Sequence, residues 1–150
     1  MNCEINLRLP EGWKSECKTE IDEYGTETKH FEAHLPGNPG EPDDTLIDIF
    51  LGDMPEDETA EDQAFANYAE AIGFDDDDDD SEESPIIKFR FRGKAAYGFE
   101  AETEDGFPMR FFAQEVKKGL LMVVAYYVKS DDLLLPTFEL LERNLKVNLV

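Results

Sequence analysis

Residues that commonly serve as metal ligands or nucleophiles are few in this chain. Its 150 residues include two cysteines, two histidines and one tryptophan. Neither the GxSxG elbow of serine hydrolases nor the GxxxxGK(S/T) loop that binds nucleotide phosphates is present. Acid–base catalysis cannot be assigned to a particular carboxylate pair either, because no pair stands out among the 36 acidic residues. We therefore predict a protein that is not an enzyme and that has no cofactor and no metal.

Long apolar segments are also missing. The longest apolar run, LLMVVAYYV (120–128), has nine residues, whereas a membrane helix needs about 20. The N-terminal residues show no basic region followed by an apolar stretch, which is the pattern of a secretory signal. Cys3 and Cys17 are then most simply two free thiols in a reducing compartment, with a disulfide between them left open. We predict a cytoplasmic protein that does not bind membranes.

Positive charge is scarce, and the net charge is −22. The excess lies within residues 1–84, because residues 85–150 contain nearly equal numbers of acidic and basic side chains. Such a chain is repelled by nucleic-acid phosphates, so we predict no nucleic-acid partner. Charge favours another protein, with a basic surface, as the partner, although a high net charge also serves solubility. The oligomeric state is not determined by these features.

The densest acidic segment is FDDDDDDSEES, residues 74–84. An EF-hand calcium loop needs a glycine at its sixth position and a glutamate at its twelfth, and no register starting at residues 75–77 provides them. A block of like charges is typical of a solvated segment. The chain length favours one domain. We therefore predict a single domain, residues 1–150, with an acidic mobile loop at 74–84.

Apolar and polar residues alternate in most of the segments that we predict to be strands. These segments are residues 3–9, 28–35, 45–52, 86–93, 95–103, 108–116 and 120–128. The last of them is apolar on both faces, which predicts a central strand.

Two segments have helical periodicity. In the first, Thr59 and Asp62 resemble a capping box with aspartate in place of glutamate. Its apolar stripe is Phe65, Tyr68, Ala69 and Ile72, and it ends at Gly73. The second helix spans roughly residues 133–146, with Leu134, Phe138, Leu141 and Leu145 on one stripe and Pro136 in the first turn. This order of elements predicts an α+β fold, a mostly antiparallel sheet flanked by helices on both faces.

The segment KFRFRGK (88–94) is the one cationic cluster of the sequence. It offers an interaction surface of Lys88, Arg90, Arg92 and Lys94, to which we add the aromatic Trp13 as a candidate groove wall. The alternative is an ordinary, partly exposed strand face. We also hypothesise that part of the acid-rich half of the chain screens this cationic cluster.

The pattern His30-x-Glu32-x-His34 is the only histidine pair in the sequence. On a strand these three side chains share one face, about 7 Å apart, close enough to bind a metal with a further ligand. The alternative is two ordinary surface histidines. A metal-dependent hydrolase using this face is therefore one of the functions that we consider.

The segment INLRLPEGWK (5–14) resembles the opening of the PsbP/DcrB-like group, in which a short strand leads into a Pro-x-Gly-Trp turn. The element order is similar as well. The resemblance implies a sheet sandwiched by helices and a role in binding other proteins, as in photosystem subunits, an importin-system regulator and chaperones of type VI secretion effectors. No particular partner or functional residue follows from it.

Together these features predict a non-enzymatic cytoplasmic adaptor or chaperone-like domain that binds another protein. Two alternatives remain open at this point. One is an acidic immunity-type inhibitor of a basic toxin, and the other is the metal-dependent hydrolase of the His30/Glu32/His34 face.

Overall fold

The computed structural model describes residues 3–21, 23, 25, 27–37, 39, 40, 43–54, 57–72, 86–103 and 106–149. The strands are β1 (Cys3–Leu7), β2 (Lys14–Ile21), β3 (Glu27–Leu35), β4 (Thr45–Asp53), β5 (Ile87–Phe91), β6 (Lys94–Glu102), β7 (Pro108–Lys117), β8 (Leu120–Val128) and β9 (Leu145–Leu149). The helices are α1 (Ala60–Ile72) and α2 (Leu134–Asn144), and a short 3-10 helix (Asp131–Leu133) precedes α2. The predicted acidic loop at 74–84 lies outside the described residues.

Seven strands form one antiparallel sheet in the order β2-β3-β4-β8-β7-β6-β5, and β1 pairs with β9 in a separate antiparallel ribbon. The mostly antiparallel sheet is therefore confirmed. So is the central position of β8, which lies between β4 and β7. The sheet dominates the fold: α1 packs mainly on β6 and β7, and α2 on β7, β8 and β9. The helix layers predicted on both faces are thus present only in part.

Two strands were not predicted. All side chains of β2 are exposed, so no buried face imposes an apolar alternation on its sequence, KSECKTEI; its strand conformation comes from pairing with β3. At the C-terminus we predicted a helix to about residue 146, but α2 ends at Asn144 and Leu145 begins β9. There Leu145 stays buried, facing Leu7 of β1.

The two faces of the sheet bury separate apolar layers. The first layer contains the inward residues of β4 (Ile47, Ile49 and Leu51), those of β8 (Met122, Val124 and Tyr126), and Leu141 of α2. The second contains Phe99, Phe111, Ala113 and Ala125, packed against Ala60 and Ala64 of α1. Along β7 these layers alternate residue by residue, as expected for a strand covered on both sides.

The start of α1 has the predicted capping box. The backbone N–H of Asp62 donates to Thr59 Oγ1 (3.2 Å), and the N–H of Thr59 donates to Asp62 Oδ2 (3.0 Å). The predicted stripe is wrong at Phe65, which is 42% exposed. Ala60 and Ala64 are buried instead, because the large rings of the sheet leave room only for small side chains where the helix approaches. Tyr68 does pack against Phe99, with ring centroids 5.2 Å apart.

Candidate functional site

A cluster of three potential metal ligands lies on strands β3 and β4. His30 and Glu32 are two residues apart on β3, and Asp48 of β4 is the direct cross-strand partner of Glu32. Because alternate residues of a strand share a face, the pairing brings the three side chains to the same surface. One ligand atom from each lies within 4.8 Å of the other two. This His30–Glu32–Asp48 cluster is half-buried.

The imidazole of His30 is held from several directions. Its Nε2 atom lies 2.9 Å from Asp48 Oδ1, within hydrogen-bond distance. Its Nδ1 atom lies 3.7 Å from Glu20 Oε1. The ring also stacks on Phe50 of β4, with centroids 4.2 Å apart and an interplanar angle of 13°. These contacts fix the ring plane and direct Nε2 toward the carboxylate of Asp48.

Three carboxylates form a row across the sheet at this level. The strand register places Glu16 of β2 opposite Glu32, and Glu32 opposite Asp48. Lys18 Nζ lies 3.8 Å from Glu16 and offsets its charge in part. Among the described residues, no ion pair joins Glu32 to a cation.

An apolar groove of about 430 Å³ begins at Phe50, the ring on which His30 stacks. It follows the same sheet face toward α1, and its lining residues are Phe50, Asn67, Phe99, Met109, Phe111, Val123, Ala125 and Tyr127. Burial, assisted by the negative charge of Asp48, raises the pKa of the Tyr127 hydroxyl. Tyr127 is therefore a neutral hydrogen-bonding group close to the cluster at neutral pH.

A second groove, of about 200 Å³, lies on the opposite sheet face beside the edge strand β5. Its wall includes Ile87 and Phe89 of β5 and Phe138 of α2. Gly98 of β6 also lines it. The side chain of Ile87 is 58% exposed, and that of Leu135, in the first turn of α2, is 60% exposed. We call the residues Ile87, Phe89, Leu135 and Phe138 the β5-edge surface.

The four predicted cationic residues do not point the same way. Lys88 lies on the α1 side of β5, where its Nζ is 5.9 Å from the centroid of Tyr97. Arg90 shares that side by strand alternation. Arg92 lies in the β5–β6 turn and donates to the carbonyl of Glu142 (2.7 Å), while Lys94 donates to the carbonyl of Val116. All four residues are exposed, but Lys88 and Arg90 lie on one side of β5, whereas Arg92 and Lys94 are bonded to backbone carbonyls elsewhere.

Trp13 and His34 also lie apart from the sites predicted for them. Trp13 precedes β2, at the opposite edge of the sheet from β5, and packs against the first apolar layer. His34 is paired with Leu46 in the register of β3 and β4, two positions beyond the Glu32–Asp48 pair. The hypothesis that part of the acid-rich half screens the KFRFRGK segment stays a prediction, and the acidic run at 75–80 lies outside the described residues.

The sequence analysis missed Asp48 as a member of the cluster. It is the only charged residue in the interior of the apolar strand TLIDIFLG, which marks it as unusual. The alternation of that strand predicts which sheet face the Asp48 side chain occupies. Which residues of β3 lie beside Asp48 depends on the β3–β4 register, and no local pattern specifies that register. Strand spacing alone suggested His34 as the third residue.

In the first apolar layer of the sheet, Tyr126 is a buried phenol beside Arg110. Arg110 Nη1 donates to the Tyr126 hydroxyl oxygen (3.3 Å), and Arg110 also pairs with Glu100. Burial raises the pKa of Tyr126 to about 12, although the charge of Arg110 opposes the shift. The unfolded phenol ionises near pH 10. The stabilising effect of the neutral phenol is therefore present below pH 10 and lost as the pH rises to 12.

We expect the free energy of unfolding to fall more steeply between pH 10 and 12 in the wild type than in Tyr126→Phe. A shift of two pKa units limits the difference to roughly 2 to 3 kcal/mol. Urea unfolding of both proteins at pH 8, 10 and 11 measures it. Other tyrosines and lysines titrate in both proteins and cancel, so identical slopes would contradict a raised pKa of Tyr126.

Comparisons with known proteins leave the family open. No family model matches the chain, and searches of curated proteins and of solved structures return no similar protein. The resemblance to the PsbP/DcrB-like group therefore stays a prediction. Within the described ranges, neither α1 nor α2 is long and apolar enough to cross a membrane.

Proposed function

We propose that this chain is a non-enzymatic cytoplasmic domain that binds another protein through the β5-edge surface. The observation that carries the proposal is the position of Ile87, an exposed large apolar side chain, in the wall of an apolar groove at a sheet edge. Leu135, which is also exposed, belongs to α2, the helix that supplies Phe138 to the same groove. Exposed apolar side chains gathered at a groove are typical of protein-binding sites. The exposed Cys17 thiol is in keeping with a reducing compartment.

The edge position supports binding by strand addition. β5 pairs with β6 on one side only in the described sheet, so its outer backbone groups face away from the sheet. A partner segment in extended conformation can pair with such an edge and insert alternate side chains into an adjoining groove. The partner segment would present apolar side chains to Phe89 and Phe138.

The other sheet edge provides a contrast. β2 exposes lysines and glutamates along most of its length, and charged side chains on an edge strand oppose pairing with another chain. Its single exposed large apolar residue is Ile21, 64% exposed. We therefore assign binding to β5 rather than to β2. The net charge of −22 would accelerate association with a basic partner, an effect that salt reduces.

Replacing Ile87 by aspartate should abolish capture of a stoichiometric partner from native lysate. Truncating or charging a central interface residue typically costs 2 kcal/mol or more, about 30-fold in affinity. Ile21→Asp is the matched control, since it makes the same substitution at an equally exposed isoleucine on the opposite edge. Once a partner is identified, titration calorimetry with both variants gives the affinity ratio.

Urea unfolding should show that both variants remain folded, because both side chains are already exposed. The proposal fails if the wild type captures no stoichiometric partner. It also fails if Ile87→Asp and Ile21→Asp bind the partner equally well. An immunity-type inhibitor would be a special case of the same proposal, recognised by a basic toxin as the captured partner.

A further inference from the structure

We propose that His30, Glu32 and Asp48 form a binding site for a divalent transition-metal ion, for which Zn²⁺ is the appropriate probe. The site lies on the other face of the sheet from the β5-edge surface and is independent of the proposed partner binding. Its ligand atoms are within 4.8 Å of one another. In a tetrahedral zinc site, ligand atoms bonded at 2.0–2.2 Å are about 3.4 Å apart. Small side-chain rotations would bring the three ligand atoms from their observed spacing to the spacing of a tetrahedral zinc site.

The surroundings of His30 match those of metal-binding histidines. Such a histidine usually directs its second ring nitrogen to a carboxylate, a carbonyl or water, which fixes the tautomer and the ring plane. Here Nε2 faces Asp48 within the cluster, and Nδ1 faces Glu20 from 3.7 Å. Stacking on Phe50 further restricts the ring. The imidazole is therefore oriented before a metal ion binds, which lowers the entropic cost of binding.

The carboxylate row supplies an independent electrostatic argument. Like charges directly opposite each other on neighbouring strands are destabilising, and Glu16, Glu32 and Asp48 occupy three successive positions of one row. Lys18 offsets Glu16 in part and lies opposite His30 in the register. Among the described residues, the one ion pair that reaches Glu32 or Asp48 is that of His30 with Asp48. A divalent cation bound between Glu32 and Asp48 would offset this repulsion, because each carboxylate is attracted to the cation.

The ligand types indicate which ions can bind. Ca²⁺ and Mg²⁺ are coordinated by oxygen ligands rather than by imidazole nitrogen. A mixed set of imidazole and carboxylates suits Zn²⁺ and neighbouring first-row ions. Three protein ligands also leave one position of a tetrahedral ion to water. The site differs from the His30/Glu32/His34 arrangement, because its third ligand comes from the neighbouring strand.

Titration of the untagged, chelator-treated full-length protein with Zn²⁺ in a calorimeter should show about one equivalent bound. Glu32→Gln and Asp48→Asn should each weaken this binding at least tenfold, since even the loss of an outer-shell partner commonly costs 10- to 100-fold. His34→Gln, on the same face of the same strand, should bind Zn²⁺ like the wild type. A protein with Asp75–Asp80 all replaced by serine should also retain the site, which separates it from weak association with the acidic run.

Thermal unfolding provides a second readout that does not depend on heats of binding. At the same Zn²⁺ concentration, the midpoint should rise equally for the wild type and for His34→Gln, and by clearly less for Glu32→Gln. In metal-free buffer, Glu32→Gln should be at least as stable as the wild type, because it removes a repulsive pair. Less than about 0.2 equivalents of Zn²⁺ bound to the wild type at micromolar concentrations would overturn the proposal. So would tight binding that survives both Glu32→Gln and Asp48→Asn.

Discussion

Replacement of Phe112 by alanine should lower the free energy of unfolding by about 4 kcal/mol, the usual cost of removing a fully buried phenylalanine. Phe112 has no exposed surface. Its ring centroid lies 4.8 Å from that of Phe91 and 5.5 Å from that of Phe89, and Phe138 of α2 completes the group. This ring joins the edge strand β5 to helix α2, so its removal leaves a cavity under both.

Urea unfolding monitored by circular dichroism measures this loss, and thermal unfolding should show a midpoint lower by roughly 8 to 16 °C for a chain of this length. Leu135→Ala is the control, because Leu135 belongs to α2 but is 60% exposed. It should change the stability by less than about 1 kcal/mol. A Phe112→Ala variant as stable as Leu135→Ala would show that the aromatic group does not hold α2 on the sheet.

Replacement of Gly98 by alanine should destabilise the protein by about 3 kcal/mol or more, above the range typical of overpacking. A Cβ atom at Gly98 would lie 2.2 Å from the carbonyl oxygen of Phe111 and 2.8 Å from the Cβ of Phe112. Cβ atoms of directly paired residues are normally 4.5–5.5 Å apart. Because the first of these contacts is with backbone, the β6–β7 pair would have to separate to accommodate the methyl group.

Gly52→Ala is the matched control for this substitution. A Cβ at Gly52 would come no closer than 3.2 Å to Thr28 Oγ1, a side-chain atom that can rotate away. Since alanine also restricts the unfolded chain, Gly52→Ala should stay within about 1 kcal/mol of the wild type. Equal effects of the two substitutions in urea unfolding would contradict the close approach of β6 and β7.

The sequence alone determined much of the secondary structure. Alternation located most of the strands, the two-sided apolar run 120–128 identified the central strand, and Thr59 with Asp62 marked the start of α1. These features are local, since each depends on residues a few positions apart that respond to burial or to a cap. Where burial was absent, as along β2, or where a strand followed a helix directly, as at Leu145, the same local signals gave no prediction or a wrong one.

The candidate sites depended on strand order and register. His30 and Glu32 were visible as a pair on one strand, but Asp48 joined them only through the pairing of β3 with β4. Likewise, nothing local shows that Ile87 lies on an edge strand facing a helix 50 residues later in the chain. Local patterns specify which face a side chain occupies, because that depends on the backbone period. Which side chains meet across strands is decided by long-range packing, and this chain's two proposed binding sites follow from that packing.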